Sequence, residues 1–297
     1  MAQTGNQGAF PRTADGHPDL QGVWTTRWAT PLERPPGIAL ALSPAEASQL
    51  YTRILSTPRG DPEEVAVRPP VQQTEVTGLV TIDGQGRSSL IIDPPNGRLP
   101  LTPEGRARLS KAPPGGNAGL EGPERRSTTE RCLTGGAGYA PHLPMPSSNI
   151  RQIAQTPAYI MVHTESFSMA RVIPLGPQGR PAPARGGSST GHWEGDTLVV
   201  ETSGFPEADD MRSGIVGSFP ISPQTRMTER FIRTGPYEIR YRFTIEDPLL
   251  YTQAWTGEST FERSDERMYE FACHEGNYSM SGILGGARAE ERHAGRN

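Results

Sequence analysis

From residue 150 onward the chain is a succession of short segments rich in β-branched and aromatic residues, each ended by turn residues. This pattern constrains the fold most, because several short strands with regular turns are typical of an antiparallel sheet. The clearest segment, 237–246, alternates apolar with polar residues, and a period of two places its apolar residues on one face of a strand. Those residues are Tyr237, Ile239, Tyr241, Phe243 and Ile245.

Nine such strands are predicted, and turn sequences such as Glu194-Gly195-Asp196 and Asp247-Pro248 separate them. Their ranges are 150–155, 159–163, 170–174, 191–193, 197–202, 225–234, 237–246, 251–263 and 268–273. Short strands joined by tight turns favour an antiparallel meander that closes into a lipocalin-like barrel. The predicted fold class is therefore mainly β.

The first half of the chain, residues 1–148, is predicted to be an arm and wrapping region, and 149–297 the barrel-like core with a closing helix at 278–288. The two parts are predicted to form one structural unit. Residues 1–37 have the pattern of an extended arm, and strand-like runs cover 76–82 and 88–92. Ser43-Pro44-Ala45-Glu46 has the order of a helix N-terminus, which predicts a helix over 43–55. Further helical segments are predicted at 102–111 and 124–133.

Charge and lysine content exclude several classes of function. The chain has 29 basic and 33 acidic residues, so it lacks the excess of Lys and Arg that is typical of nucleic-acid-binding proteins. Its one lysine, Lys111, lies in a Pro-rich stretch, so Schiff-base, pyridoxal-phosphate and Walker-type chemistry lack their essential residue. No apolar run reaches the ~18 residues of a membrane-spanning helix. We expect no cofactor and no integral membrane segment.

The polar residues 2–8 resemble the start left after a signal peptide is cleaved, which predicts a periplasmic or secreted protein. Such compartments favour disulfides. Cys132 and Cys273 are therefore predicted to form a bridge, and the alternative is two unrelated buried thiols.

Several segments resemble a family of uncharacterised exported proteins from proteobacteria and acidobacteria. They include Asp15-Gly16-His17-Pro18-Asp19-Leu20-Gln21-Gly22-Val23-Trp24, Glu130-Arg131-Cys132-Leu133, Trp193-Glu194-Gly195-Asp196-Thr197-Leu198-Val199-Val200 and Ala272-Cys273-His274-Glu275-Gly276-Asn277-Tyr278. The resemblance spans nearly the whole chain and implies export and a single-chain unit. It carries over no activity.

The segment around Cys273 is the first candidate for chemistry, because a strand-to-helix junction can direct polar groups into a barrel mouth. His274 is eligible as a general acid or base, and Glu275 can tune or replace it. In the alternative interpretation Glu275 and Asn277 cap the following helix and His274 bonds a loop carbonyl. His192, next to the hairpin turn, is a further candidate.

His163, Glu165 and Arg171 form a looser set across two strands. An arginine such as Arg171 either ties a barrel wall to a carboxylate or binds a substrate carboxylate or oxyanion, and both interpretations stay open. The predicted aromatic lining of a substrate cavity consists of Tyr241, Phe243, Tyr251 and Trp255. No metal site is predicted, because the eligible His and Glu residues lack metal-ligand spacing.

Gly187-Ser188-Ser189-Thr190-Gly191 has the letters of a nucleophile elbow, but it precedes a strand where the elbow requires a helix. The first functional hypothesis is a cofactor-free acid–base enzyme (isomerase or cyclase, lyase, or hydrolase) acting on an apolar or phenolic small molecule. The alternatives are a periplasmic small-molecule carrier and a structural envelope protein. A His and a carboxylate within hydrogen-bond reach inside the barrel would favour the enzyme. An apolar interior would favour the carrier, and a filled core without a cavity the structural protein.

Overall fold

The computed structural model describes residues 10–56, 76–110, 120–126, 130–133, 139–145, 149–176, 186–207 and 211–295. Its strands are β1 Gly22–Thr25, β2 Ala41–Leu42, β3 Thr81–Ile82, β4 Gln85–Arg87, β5 Ile91–Asp93, β6 Ile150–Gln155, β7 Tyr159–Thr164, β8 Met169–Pro174, β9 Ser188–Glu194, β10 Thr197–Ser203, β11 Met211–Gly214, β12 Gly217–Pro220, β13 Arg226–Arg233, β14 Glu238–Glu246 and β15 Trp255–Arg263. The α-helices are α1 Pro44–Ser56, α2 Pro103–Ser110 and α3 Tyr278–Ala294.

Nine strands form a nearly closed antiparallel barrel in the order β8-β7-β6-β1-β15-β14-β13-β10-β9, and β5 pairs with β15 beside this path. The two end strands, β8 and β9, meet through one parallel bridge between Leu175 and Gly191, where Gly176 N–H also donates to Gly191 O over 3.0 Å. The predicted antiparallel barrel is confirmed, and the likeness to lipocalins stays a prediction.

The barrel takes β1 from the segment predicted to be an extended arm. β1 lies between β6 and β15, with Trp24 opposite Arg151 on one side and Arg263 on the other. The indole of Trp24 is completely buried, and the guanidinium groups of Arg233 and Arg263 lie 5.0 and 5.4 Å from its ring centre. The N-terminal part of the chain thus contributes one strand to the barrel wall.

Helices predicted at 43–55 and 102–111 are confirmed as α1 and α2. At α1 the Glu46 carboxylate accepts from Ser43 N–H over 2.8 Å, and Glu46 N–H donates to Ser43 Oγ over 3.3 Å, which is the capping box predicted from the sequence. The closing helix continues beyond the predicted 288 to Ala294. Within the described part of 124–133 there is only a 3-10 turn, Pro123–Arg125, and the rest of that prediction falls partly on residues outside the described ranges.

A strand predicted over 268–273 is wrong, since this segment has no ladder partner. Both edges of β15 are already paired, with β1 and with β14, so the chain after Arg263 cannot pair back onto β15. Residues 264–277, which we call the strap, are held by side-chain contacts instead of by strand pairing. Glu266 forms an ion pair with Arg27, and Phe271 stacks on Phe167 with ring centres 4.7 Å apart.

The strap ends at a disulfide between Cys132 and Cys273, which confirms the predicted bridge. Asn277 Nδ2 donates to Glu130 O over 2.8 Å on the same side. The disulfide and this hydrogen bond thereby attach the strap and the start of α3 to residues 130–132.

Along β13 and β14 the inward face follows the expected alternation. Ile239, Tyr241, Phe243 and Ile245 are at most 1% exposed, but Tyr237, predicted on the same face, is 73% exposed because β14 begins only at Glu238. On β13 the inward face combines apolar residues with Glu229 and Arg233, so the barrel interior contains charged side chains.

Candidate functional site

Four buried polar side chains and the partly buried Arg171 lie together inside the barrel, and we call them the interior cluster. They are Arg151 of β6, Arg171 of β8, Glu229 of β13, Tyr241 of β14 and His142 of residues 139–145. Segment 139–145, which we call the cover segment, is bonded to Arg151 of β6, whose strand partner Thr164 is the last residue of β7. Burying so many polar groups costs free energy unless they are paired, so their mutual geometry decides what they can do.

Arg171 and Glu229 form the centre of the interior cluster. Glu229 is completely buried, and both terminal nitrogens of Arg171 donate to its carboxylate, one of them over 3.1 Å to Oε1. Arg171 also donates to Ser189 Oγ over 2.9 Å and to Thr202 Oγ1 over 2.7 Å. Because Ser189 and Thr202 belong to β9 and β10, Arg171 bridges the seam between β8 and β9 where the backbone ladder is nearly absent.

Tyr241 connects the carboxylate to the cover segment. Its hydroxyl donates to Glu229 Oε1 over 2.7 Å and accepts from the backbone N–H of His142 over 3.2 Å. Burial, reinforced by the negative charge of Glu229, raises the pKa of Tyr241 well above its usual value. The phenol therefore remains a hydrogen-bond donor.

His142 is the imidazole of the site and is completely buried. Its Nε2 lies 4.0 Å from Glu229 Oε1, and its Nδ1 accepts from Arg151 Nε over 3.3 Å. The rings of Phe231, Tyr241 and Phe261 surround it with centres 5.6 to 6.4 Å away. This separation exceeds the roughly 2.6–3.2 Å of a direct hydrogen bond, so a proton passes between the two side chains only through one intervening group such as a water.

The cover segment is held in place from two sides. Arg212 of β11 donates to Ala140 O over 2.9 Å, and Ile215 N–H donates to Pro144 O over 3.0 Å. From the side of β6, Arg151 donates to Leu143 O over 3.2 Å. The imidazole of His142 is thus positioned by the β11–β12 hairpin and by β6 together.

Of the catalytic candidates chosen from the sequence, Arg171 lies in the interior cluster. His274 and Glu275 lie in the exposed turn at the end of the strap, between Cys273 and α3. The catalytic and capping interpretations of these two residues both remain predictions, although no side-chain cap bond is formed at Asn277, the N-cap of α3.

His192 lies on the outer face of β9. Its Nε2 is 3.2 Å from Glu194 Oε1, and Glu194 in turn pairs with Arg230 over 2.6 Å. The neighbouring Trp193 turns to the other face and stacks on His17 with ring centres 4.5 Å apart. His192 is therefore on the opposite side of the barrel wall from Glu229.

The structure does not bring the side chains of His163, Glu165 and Arg171 together in one site. Arg171 points inward like its partner on β7, Val162, whereas His163 belongs to the opposite face. Glu165 lies in the β7–β8 turn and accepts from Tyr269 N–H of the strap over 2.9 Å.

The predicted aromatic lining is buried and packs against itself. Trp255 contacts Phe243 and Tyr251 with ring centres 5.7 and 5.8 Å apart, and Tyr241 lies 5.8 Å from Phe243. Tyr251 donates to Pro220 O over 2.6 Å, and burial raises its pKa above the usual value. These rings form the apolar wall beside the interior cluster.

Sequence reasoning missed Glu229, His142 and Arg151. A signal for Glu229 existed, since it lies two residues from Met227 and two from Phe231 and so shares their inward face. His142 lies in an irregular Pro-rich stretch, where no periodicity shows which way it points.

Comparison of the chain with protein-family models, curated proteins and solved structures finds no significant match. Across the described residues, no group of three or more His, Cys, Asp or Glu side chains is arranged to hold a metal ion. None of the described helices is long and apolar enough to cross a membrane. Lys111 lies outside the described residues.

Proposed function

We propose that the protein is a cofactor-free acid–base enzyme whose reaction takes place at the interior cluster. The observation that carries the proposal is a fully buried carboxylate, Glu229, with an imidazole nitrogen 4.0 Å away and a guanidinium on its other side. Buried carboxylates next to a histidine are arrangements that enzymes use to move protons.

The opposite charges of Arg171 and Glu229 support the proposal that Glu229 accepts the proton. Arg171 donates to both oxygens of Glu229, so its positive charge lies beside the group that we propose as the proton acceptor. Once Glu229 has taken that proton, the positive charge of Arg171 no longer has a carboxylate to balance it. The guanidinium then stabilises negative charge that develops on the substrate.

A proton shift beside a carbonyl group fits these parts. Glu229 takes a proton from carbon, the C–H electrons form a C=C bond, and the carbonyl electrons move to oxygen as an enolate. His142 and Arg171 stabilise that oxygen. In a substrate with a C=C bond next to the carbon that loses the proton, return of the proton to the far carbon of that bond completes an isomerisation without any other reactant. Elimination begins with the same proton transfer from carbon, whereas in hydrolysis Glu229 would take the proton from a water molecule that attacks the substrate.

The surroundings favour a small apolar or phenolic substrate. The wall next to the interior cluster consists of Phe231, Phe243 and Phe261, and the side chain of Arg171 is 13% exposed at the β8–β9 seam. Apolar walls with a few convergent polar groups are typical of small-molecule sites. We propose that the substrate approaches Glu229 past Arg171.

A carrier without turnover is the second candidate, and one observation favours it. Arg171 already donates to Ser189, Thr202 and Glu229, which is the pattern of an arginine that ties barrel strands together. In that case the interior cluster stabilises the barrel and the ligand is only bound.

Deuterium incorporation from heavy water distinguishes the two. Purified protein is incubated with a panel of ketones and phenolic ketones, and loss of the C–H signal is followed by proton NMR while binding is measured by calorimetry. We expect exchange by the wild type, loss of at least 100-fold in Glu229→Gln, and wild-type rates in His274→Ala, which changes an exposed histidine.

Loss of exchange in His274→Ala with full activity in Glu229→Gln would move the site to the strap. Binding of panel members without exchange would favour the carrier.

Export is part of the proposal. The Cys132–Cys273 disulfide supports a periplasmic or secreted location, because such bridges persist in oxidising compartments. The proposed partner is the small-molecule substrate.

A further inference from the structure

We infer that Arg151 is a positioning residue that fixes His142 as the tautomer with its proton on Nε2, directed at Glu229. The consequence for catalysis rests on the proposed function, but the tautomer itself does not. It makes His142 a hydrogen-bond donor in the site, a role that its sequence position does not reveal.

Donor and acceptor chemistry determines which nitrogen of His142 carries the proton. The Nε of an arginine carries a hydrogen and can only donate, so the Nδ1 atom of His142, 3.3 Å away, must be the acceptor. A neutral imidazole has one proton, which is then on Nε2. That nitrogen lies 4.0 Å from Glu229 Oε1.

Arg151 is held rigidly enough to impose this choice. The side chain is completely buried, and its terminal nitrogens donate to Thr26 Oγ1 over 2.6 Å, to Asn149 O over 3.1 Å and to Leu143 O over 3.2 Å. Because Leu143 follows His142 directly, one guanidinium fixes both the backbone and the ring of the cover segment.

The charges around the ring also favour the neutral form. His142 faces Arg151 from β6, Glu229 from β13 and the phenol of Tyr241 from β14, with Arg171 of β8 behind Glu229. Burial lowers the pKa of Arg151 to about 10, which still leaves it charged at neutral pH. A second proton on His142 would lie next to that charge, while the charge of Glu229 is offset by Arg171.

A neutral Nε2–H donor suits the proposed reaction, since a neutral imidazole can stabilise an oxyanion by donating a hydrogen bond. Arg151 would then act on the reaction through His142 without touching the substrate.

Nitrogen-15 NMR of histidine-labelled protein tests the inference. The chain has six histidines, and His142→Gln identifies the signal of interest. In the wild type we expect the Nε2–H tautomer throughout roughly pH 5–8, the range in which free histidine titrates. In Arg151→Met we expect the imidazolium signature to appear within that range. In Arg151→Met the rate of deuterium exchange should fall as the pH is lowered through that range, whereas the wild-type rate should not fall.

Thr26→Val is the matched control, because it removes a partner of Arg151 but leaves the Nε–His142 bond, and its spectrum should match the wild type. An Nδ1–H tautomer or an imidazolium in the wild type overturns the inference, as does an unchanged His142 spectrum in Arg151→Met. If Arg151→Met does not fold, the wild-type spectrum alone decides. Unimpaired exchange in Glu229→Gln would refute the proposed function and leave the tautomer result standing.

Discussion

Separating the ion pair at the centre of the barrel should show how the interior cluster contributes to stability. Breaking a buried pair by removing one partner costs about 3–5 kcal/mol. Arg171 has 13% of its side chain exposed and keeps Ser189 and Thr202 as partners when Glu229 changes. We therefore expect Glu229→Gln to lower the free energy of unfolding by about 3 kcal/mol, near the lower end of that range.

The reverse change is expected to cost more. In Arg171→Met the carboxylate of Glu229 stays completely buried and loses the bidentate partner, so we expect about 4–5 kcal/mol at neutral pH. At about 2 °C of melting temperature per kcal/mol for a chain of this size, the two variants should melt roughly 6 °C and 8–10 °C lower.

Urea unfolding followed by tryptophan fluorescence provides the measurement. The double variant Arg171→Met/Glu229→Gln should lose less than the sum of the single variants, since neither charge is then left alone. Arg12→Ala, at the exposed pair with Asp196, is the control and should leave the midpoint unchanged. Additive losses, or a larger loss in Glu229→Gln than in Arg171→Met, would refute the reasoning.

Two further predictions concern the outer face and the strap. Glu238 and Glu262 are direct cross-strand neighbours, and burial together with the charge of Glu238 raises the pKa of Glu262. A raised carboxyl pKa favours folding at low pH and loses that contribution as pH rises through it. Glu262→Gln should therefore stabilise the protein at pH 7 by at most about 0.5 kcal/mol, and the gain should vanish near pH 4; urea titrations at both pH values test this. The Cys132–Cys273 bridge spans 141 residues, so its removal in Cys132→Ser/Cys273→Ser should cost up to about 5 kcal/mol in the chain-entropy model. Unfolding midpoints with and without reductant check that value, and equal midpoints would contradict it.

The barrel was predictable where one strand face is apolar and the other polar. Residues 238–246 meet this condition, and Ile239, Phe243 and Ile245 point inward as expected. On β13 the signal is weaker because the inward face includes Glu229 while the outward face includes Ile232. The alternation of hydrophobicity then no longer says which side faces the core.

Contacts between distant parts of the chain could not be predicted. Nothing local shows that β1 inserts between β6 and β15, because this pairing joins segments more than a hundred residues apart. Likewise, His142 reaches Glu229 only because Arg212 and Arg151 hold the cover segment in place.

A crystal structure of the wild type soaked with a compound that the protein binds, compared with His274→Ala soaked in the same way, tests the central claim most directly. The interior cluster predicts ligand density next to Glu229, His142 and Arg171 in both proteins. Density at the strap near His274 and Glu275, with the barrel interior unchanged, would contradict it.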